Sequence, residues 1–205
     1  MPARNWKYSV HPGVEMAQGI IAKLEEKTGR NLEAWIALAN QSGPKDEKER
    51  VAWLKVEHGL GTNYAGWIME RSFGRGLESS DTEAYLAAAS KYVDAMFAGP
   101  KADLIPIYDA LLDLAFKLGT DIRVSPAKTI VPIYRKHVIA QIKPSTRTRI
   151  DFGLALGDAK PTDRLRKTGG LAKGDRITHA VGLTSVADVD AEVGKLLSKA
   201  YSLDR

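Results

Sequence analysis

A chain of 205 residues, 44% of them apolar and none of them cysteine, is large enough for one generous core or two small ones. That composition excludes disorder, disulfides, thiolate nucleophiles and thiolate metal sites. The net charge of +5 leans toward anionic partners, but both parts of the chain share the excess, so charge alone does not make a nucleic-acid binder.

The start through Tyr8 contains Arg4, Trp6 and Lys7 and leads into no apolar signal segment. No run approaches the roughly 18 apolar residues of a membrane span. A cytoplasmic protein without membrane contact is the expectation.

Residues 9–73 read as short helices, because apolar positions recur at helical spacing and a stop follows each run. Val14, Ile20, Ile21 and Leu24 form the first stripe, closed by Gly29. Asn31 caps a second helix whose Leu32, Trp35, Ile36 and Ala39 face inward before Gly43-Pro44. A third carries Val51, Trp53 and Leu54 and ends at His58-Gly59, and a fourth starts at Thr62 with Ala65, Ile68 and Met69. Trp6, Trp35, Trp53 and Trp67 all fall in this first third, as a small helical unit needing large buried side chains requires. The polar, glycine-rich segment from Gly74 to Asp81 marks the domain boundary, placed after Gly76.

Two helical stretches follow, Thr82 to Phe97 and Ala102 to Leu118, split by Gly99-Pro100. The period then changes. Ile122 to Ser125, Thr129 to Tyr134, His137 to Lys143, Arg147 to Leu154 and Ile177 to Leu183 have strand character, and Val186 to Tyr201 returns to a helix. The fold class is therefore α+β. A helical domain (1–76) precedes a two-layer domain (77–205) with an antiparallel sheet of about five strands and helices packed on one face.

The block from Arg123 to Ile150 contains no Asp or Glu. Its hairpin, turned at Pro144-Ser145-Thr146, is expected to pair Lys143 with Arg147 and Gln141 with Arg149. Even positions (Val138, Ala140, Ile142, Ile150 and Phe152, with Thr148) then face the core, while His137, Gln141, Lys143, Arg147, Arg149 and Asp151 face outward. Like charges set opposite one another are relieved by a bound anion. His137, Gln141, Lys143, Arg147 and Arg149 are therefore the candidate ligand-binding residues, and solvated surface is their plain reading. His137 and Asp151 are diagonal neighbours, which makes them a candidate acid–base pair, with no evident nucleophile. His11, His58 and His179 have no metal-ligand spacing, so no metal or cofactor is expected.

A second candidate lies at His58-Gly59-Leu60-Gly61-Thr62, which resembles the glycine, apolar, glycine turn of helix-hairpin-helix DNA-binding motifs. In such turns the amides hold a backbone phosphate, and Gly59, Gly61 and Thr62 are the corresponding residues here. The chain lacks the usual basic residue after the second glycine, and Glu57 opposes a phosphate. A glycine-capped corner explains the same letters.

The runs Lys128 to Tyr134, Ala140 to Pro144, Arg149 to Leu154, Ile177 to His179, Leu183 to Ser185 and Ala200-Tyr201 resemble an uncharacterised bacterial α+β domain family. Glu26 to Gly29, Trp35-Ile36 and Leu54 to Gly61 resemble a separate small helical domain of unknown function often placed before it. The resemblance implies the two-domain architecture and brings no substrate, cofactor or catalytic residue. A histidine is expected soon after Gly61 in the helical family, where this chain has Thr62-Asn63.

The expected function is a non-enzymatic binding or accessory protein whose cationic sheet face meets nucleic acid or a small anionic ligand. The alternatives are a small hydrolase or transferase using His137 and Asp151, and a protein–protein interaction module. Oligomeric state is open, and a homodimer is compatible with the sequence.

Overall fold

The computed structural model describes residues 7–205, so Arg4 and Trp6 lie outside the described residues. The chain forms two compact units that divide between Ala87 and Ala88, with residues 7–9 joining the second. The division falls inside a helix, whereas sequence composition places it after Gly76.

The first unit is helical: α1 (Pro12–Ile21), α2 (Leu24–Thr28), α3 (Leu32–Ser42), α4 (Glu47–Val56), α5 (Thr62–Ser72) and the first part of α6 (Thr82–Met96). The stripe expected as one helix breaks at Ala22-Lys23 into α1 and α2. Caps set the remaining boundaries. Asn31 Oδ1 accepts the Ala34 amide at 2.9 Å to start α3, Asp46 Oδ1 accepts Lys48 and Glu49 to start α4, and Gly29 ends α2 at φ 75°. Leu24, Trp35, Ala39, Leu54, Leu60, Ala65 and Ile68 are buried together, with Trp53 packed against them. The Trp35 indole N–H donates to Thr28 Oγ1 at 2.8 Å, so the largest core residue leaves no polar atom unpaired.

The segment expected as a linker is a folded turn. Gly74 and Gly76 adopt φ 71° and 77°, Leu77–Ser79 makes a 3-10 turn, and Asp81 Oδ1 accepts the Ala84 amide at the start of α6.

The second unit holds the rest of α6, α7 (Ile105–Phe116), six strands and α8 (Ala191–Leu203). The strands are β1 (Arg123–Val124), β2 (Val131–Tyr134), β3 (Val138–Pro144), β4 (Ile150–Leu154), β5 (Leu165–Lys167) and β6 (His179–Leu183). All neighbours are antiparallel, in the order β1-β2-β3-β4-β6-β5. Among the described residues there are six strands rather than about five. The extra one, β5, spans only three residues, too few to show alternation. One sheet face packs on the helices through Ile133, Ile142, Phe152, Leu154, Val181 and Leu183, which meet Tyr108, Leu111, Leu112, Val193 and Leu197 in a single core.

The hairpin register differs from the expected one. Lys143 stands opposite Asp151 and Gln141 opposite Gly153, not Arg147 and Arg149, and the loop runs from Ser145 to Arg149. Two forces favour this alignment. Ile142 pairs with Phe152 and Pro144 with Ile150 on the core face, and a cation opposes an anion instead of another cation. The two registers differ by an even number of residues, so the inside assignment holds for Ala140, Ile142, Ile150 and Phe152. Beside the bulge between Ile133 and Tyr134, however, it is Ile139 that is buried in the core and Val138 is half-buried, and Thr148 is exposed in the loop.

Candidate functional site

The open face of the sheet carries one carboxylate, Asp151, among its cations Lys143, Arg149 and Arg166, and so keeps part of its positive charge. Asp151 Oδ1 accepts from Arg166 at 2.6 Å and lies 3.1 Å from Arg149 Nε, while Oδ2 accepts the Ser145 hydroxyl at 2.6 Å. Burial pushes the Asp151 carboxyl up, but Ser145, Arg166 and Arg149 together outweigh it and hold the group below its ordinary value. Gly153, Ala180 and Gly182 keep the strip beside these side chains low. The resulting shallow hollow of about 220 Å³ is lined by Gln141, Lys143, Asp151, Arg166 and Thr168 among others. Arg149 lies over Gly182, where an added Cβ would come within 3.2 Å of its Cδ.

The uncompensated charge lies at the end of the same hairpin. A cleft of about 550 Å³ is bounded by the end of α6, the following 3-10 turn Gly99–Leu104, the β1–β2 connection and the β3–β4 loop. Lys101, Lys128, Lys143 and Arg147 line it, and among the described residues no Asp or Glu does. Lys101 is set by an internal contact, since its ammonium donates to the Pro144 carbonyl at 2.6 Å. An ammonium has three donors, so the remaining two are available to a ligand. Lys128, Lys143 and Arg147 are exposed.

The candidate ligand residues therefore do not share one site. Arg147 lines the cleft, Gln141 lines the hollow on the open face, Lys143 borders both, and Arg149 is taken by Asp151. His137 precedes β3 at its other end, about 20 Å from Lys143 along an extended strand. The expected His137–Asp151 pair does not form. His137 Nδ1 is 2.8 Å from Asp204 Oδ1, and Arg176 Nη2 donates to the same oxygen at 2.7 Å. Asp204 is 2% exposed and also accepts the Lys136 and His137 amides, so it anchors the β2–β3 turn to the end of α8. His179 is a core histidine bonded to Thr178 Oγ1 and the Ala159 carbonyl.

Sequence reading misses Lys101 and Asp204. Each acts through a tertiary contact more than 40 positions away in the chain, and no local pattern signals it. Lys128 was visible inside the acid-free block but not as a neighbour of the hairpin.

In the first unit, Gly59 adopts φ 65°, Leu60 is buried and Gly61 is the N-cap of α5, with Thr62 its first residue. The glycines thus shape a tight corner, and α5 has no side-chain cap. The His58 ring fits edge-on against Trp35 and Trp53, and its Nε2 is buried without a partner. Among the described residues no group of three or more His, Asp or Glu is placed to hold a metal ion, and no helix is long and apolar enough to cross a membrane.

No curated protein and no solved structure matches the chain. Two family models do. Residues 16–71 match a domain of unknown function, DUF4287, which corresponds to the helical unit. Residues 93–204 match a second, DUF5655, which takes in the cleft, the whole sheet and α8. As this second match spans more than half of the sequence, the chain belongs to the DUF5655 family.

Proposed function

We propose that this protein is a binding or accessory protein that holds an anionic ligand in the cleft formed by Lys101, Lys128, Lys143 and Arg147. The observation that carries the reading is the convergence of four cations, from three separate segments, with no carboxylate on the walls among the described residues. Gathering like charges around one concavity raises the local potential and draws in a counter-charge. The loop between β3 and β4 supplies Arg147 and orders Pro144, whose carbonyl in turn places Lys101. The open sheet face is the weaker candidate, because Asp151 already engages Arg149 and Arg166 there. A hydrolase built on His137 and Asp151 lacks its defining contact.

Isothermal titration of the full chain with tripolyphosphate tests the reading. Binding is expected at about 20 mM NaCl and should weaken at about 300 mM, where screening shortens the reach of exposed charges. The double variant Lys128→Glu, Arg147→Glu alters only exposed side chains and should lose binding while keeping its circular dichroism spectrum. No heat at low salt, or equal binding by the variant, would refute the proposal.

A further inference from the structure

We infer that the ligand of this cleft is an organic phosphate ester, a phosphoryl group carrying an apolar body, rather than inorganic phosphate or a nucleic-acid strand. The inference rests on the anion-binding reading above and adds the chemical class. Size is the first argument. Inorganic phosphate fills only a few water volumes, on the order of 100 Å³, and would leave most of a cleft of about 550 Å³ to solvent. A volume of this size is typical of pockets that take a small organic molecule.

The second argument is the distribution of chemistry around the walls. The cations come from the two strand connections and Lys101. Ala95, Met96, Ala98, Pro100 and Pro144 supply the apolar part of the lining. Ala95, Ala98 and Pro100 are exposed, so this apolar part is not closed by the protein's own side chains. A ligand that satisfies both parts has an anionic end and an apolar body. Thr129, exposed on the lining, adds a hydroxyl for ester or sugar oxygens.

The third argument separates a small ester from a polymer. Proteins that track single strands offer aromatic rings for successive bases to stack on. Among the described residues no Phe, Tyr, Trp or His lines this cleft. Its four cations surround one concavity instead of forming a stripe, so they suit one phosphoryl terminus better than a run of phosphodiesters.

The test is a set of titrations at low salt with inorganic phosphate, adenosine monophosphate and hexyl phosphate, which share the phosphoryl group and differ in the body. At least one ester should bind about tenfold or more tightly than inorganic phosphate, since burying an apolar body adds to the charge attraction. Preference for the nucleotide identifies a flat heterocycle, and preference for hexyl phosphate identifies an aliphatic chain. Amide resonances of Ala95 and Ala98 should move with either. The variant Ala95→Glu changes an exposed helical position and should weaken the favoured ester while the fold is unchanged by circular dichroism.

Binding of all three within about twofold, with tripolyphosphate still bound, would overturn the ester inference and leave the anion reading standing. Silence toward all three while tripolyphosphate binds would also overturn it. Tighter binding of a short oligothymidylate than of either ester would make the cleft a polymer groove. Silence toward every anion, tripolyphosphate included, would remove both readings.

Discussion

Asp204 and His137 stand 67 positions apart in the chain, yet the Asp204 carboxylate takes both the amide and the ring Nδ1 of His137, each at 2.8 Å. The same carboxylate accepts the Lys136 amide and Arg176 Nη2. Arg135 adds to the join by donating to the Tyr201 and Asp204 carbonyls and lying 4.1 Å over the Tyr201 ring. One carboxylate thereby closes the β2–β3 turn onto the end of the last helix.

Replacing Asp204 with Ala should cost about 1–3 kcal/mol, because the Lys136 and His137 amides lose their acceptor while the His137 and Arg176 side chains are exposed enough to find water. Urea unfolding at neutral pH measures it. The pH dependence follows from the carboxyl itself. Burial pushes its pKa up, but the His137 amide and ring, the Lys136 amide and Arg176 outweigh that and hold it below the ordinary value. The unfolded chain therefore takes up the proton first. The stability from this group is complete above about pH 4 and is lost as pH falls through the folded value. Asp204→Asn should flatten the stability curve below about pH 4 relative to the native chain, and identical slopes would rule out the linkage.

Arg50 plays the corresponding part in the helical unit. It is 6% exposed, and its guanidinium donates to the Pro44 carbonyl and Ser72 Oγ, each at 2.7 Å, while lying 4.4 Å over the Phe73 ring. These contacts tie the α3–α4 connection to the end of α5. Arg50→Ala should destabilise the unit by about 2–4 kcal/mol, because it strands buried acceptors and removes packing. Arg50→Lys should recover only part of the loss, since a single ammonium cannot span the fork. Tryptophan fluorescence during denaturation reports on this unit through Trp35 and Trp53.

How much of this could be read from residues alone divides along physical lines. The inside and outside faces of β3 from Ala140 onward and of β4 were legible, because alternation has period two and tolerates an even slip in register, but the bulge beside Tyr134 that buries Ile139 was not. Which residues face each other was not legible. A three-residue and a five-residue loop both preserve parity, and only the pairing of Pro144 with Ile150 and Lys143 with Asp151 separates them. Helix starts at Asn31 and in the Asp46 turn follow local capping chemistry, whereas the break at Ala22-Lys23 has no such signal. Half of the cleft was visible as Lys143 and Arg147. The other half depends on Lys101 and Lys128, brought in by the fold.

Gly153 on β4 offers a direct check on the sheet packing. A Cβ built there would lie 2.6 Å from Ile177 Cγ2 and 2.8 Å from Gln141 Cγ, closer than side chains tolerate. Gly153→Ala should destabilise the domain by about 1–3 kcal/mol through overpacking. Thermal unfolding monitored by circular dichroism tests it. A melting temperature unchanged from native would mean that Gln141 swings clear at no cost, and adding Gln141→Ala should restore part of the loss in the variant.

Asp151 decides where cationic character resides, so its neutralisation gives the sharpest electrostatic prediction. Asp151→Asn leaves Arg149 and Arg166 without their carboxylate and makes the open face more strongly cationic, beside Lys143, which borders both that hollow and the cleft. Removing one negative charge at about 8 Å in a largely aqueous path adds a few tenths of a kcal/mol or more to anion attraction, enough for about a threefold gain. Tripolyphosphate affinity should therefore rise at low salt and return to the native value at about 300 mM NaCl, where screening removes the difference. Stability should fall by only about 1 kcal/mol, because Arg149 and Arg166 are exposed enough to find water. If affinity stays level while Lys128→Glu, Arg147→Glu abolishes binding, the open face and the cleft do not communicate electrostatically, and Asp151 serves the hairpin alone.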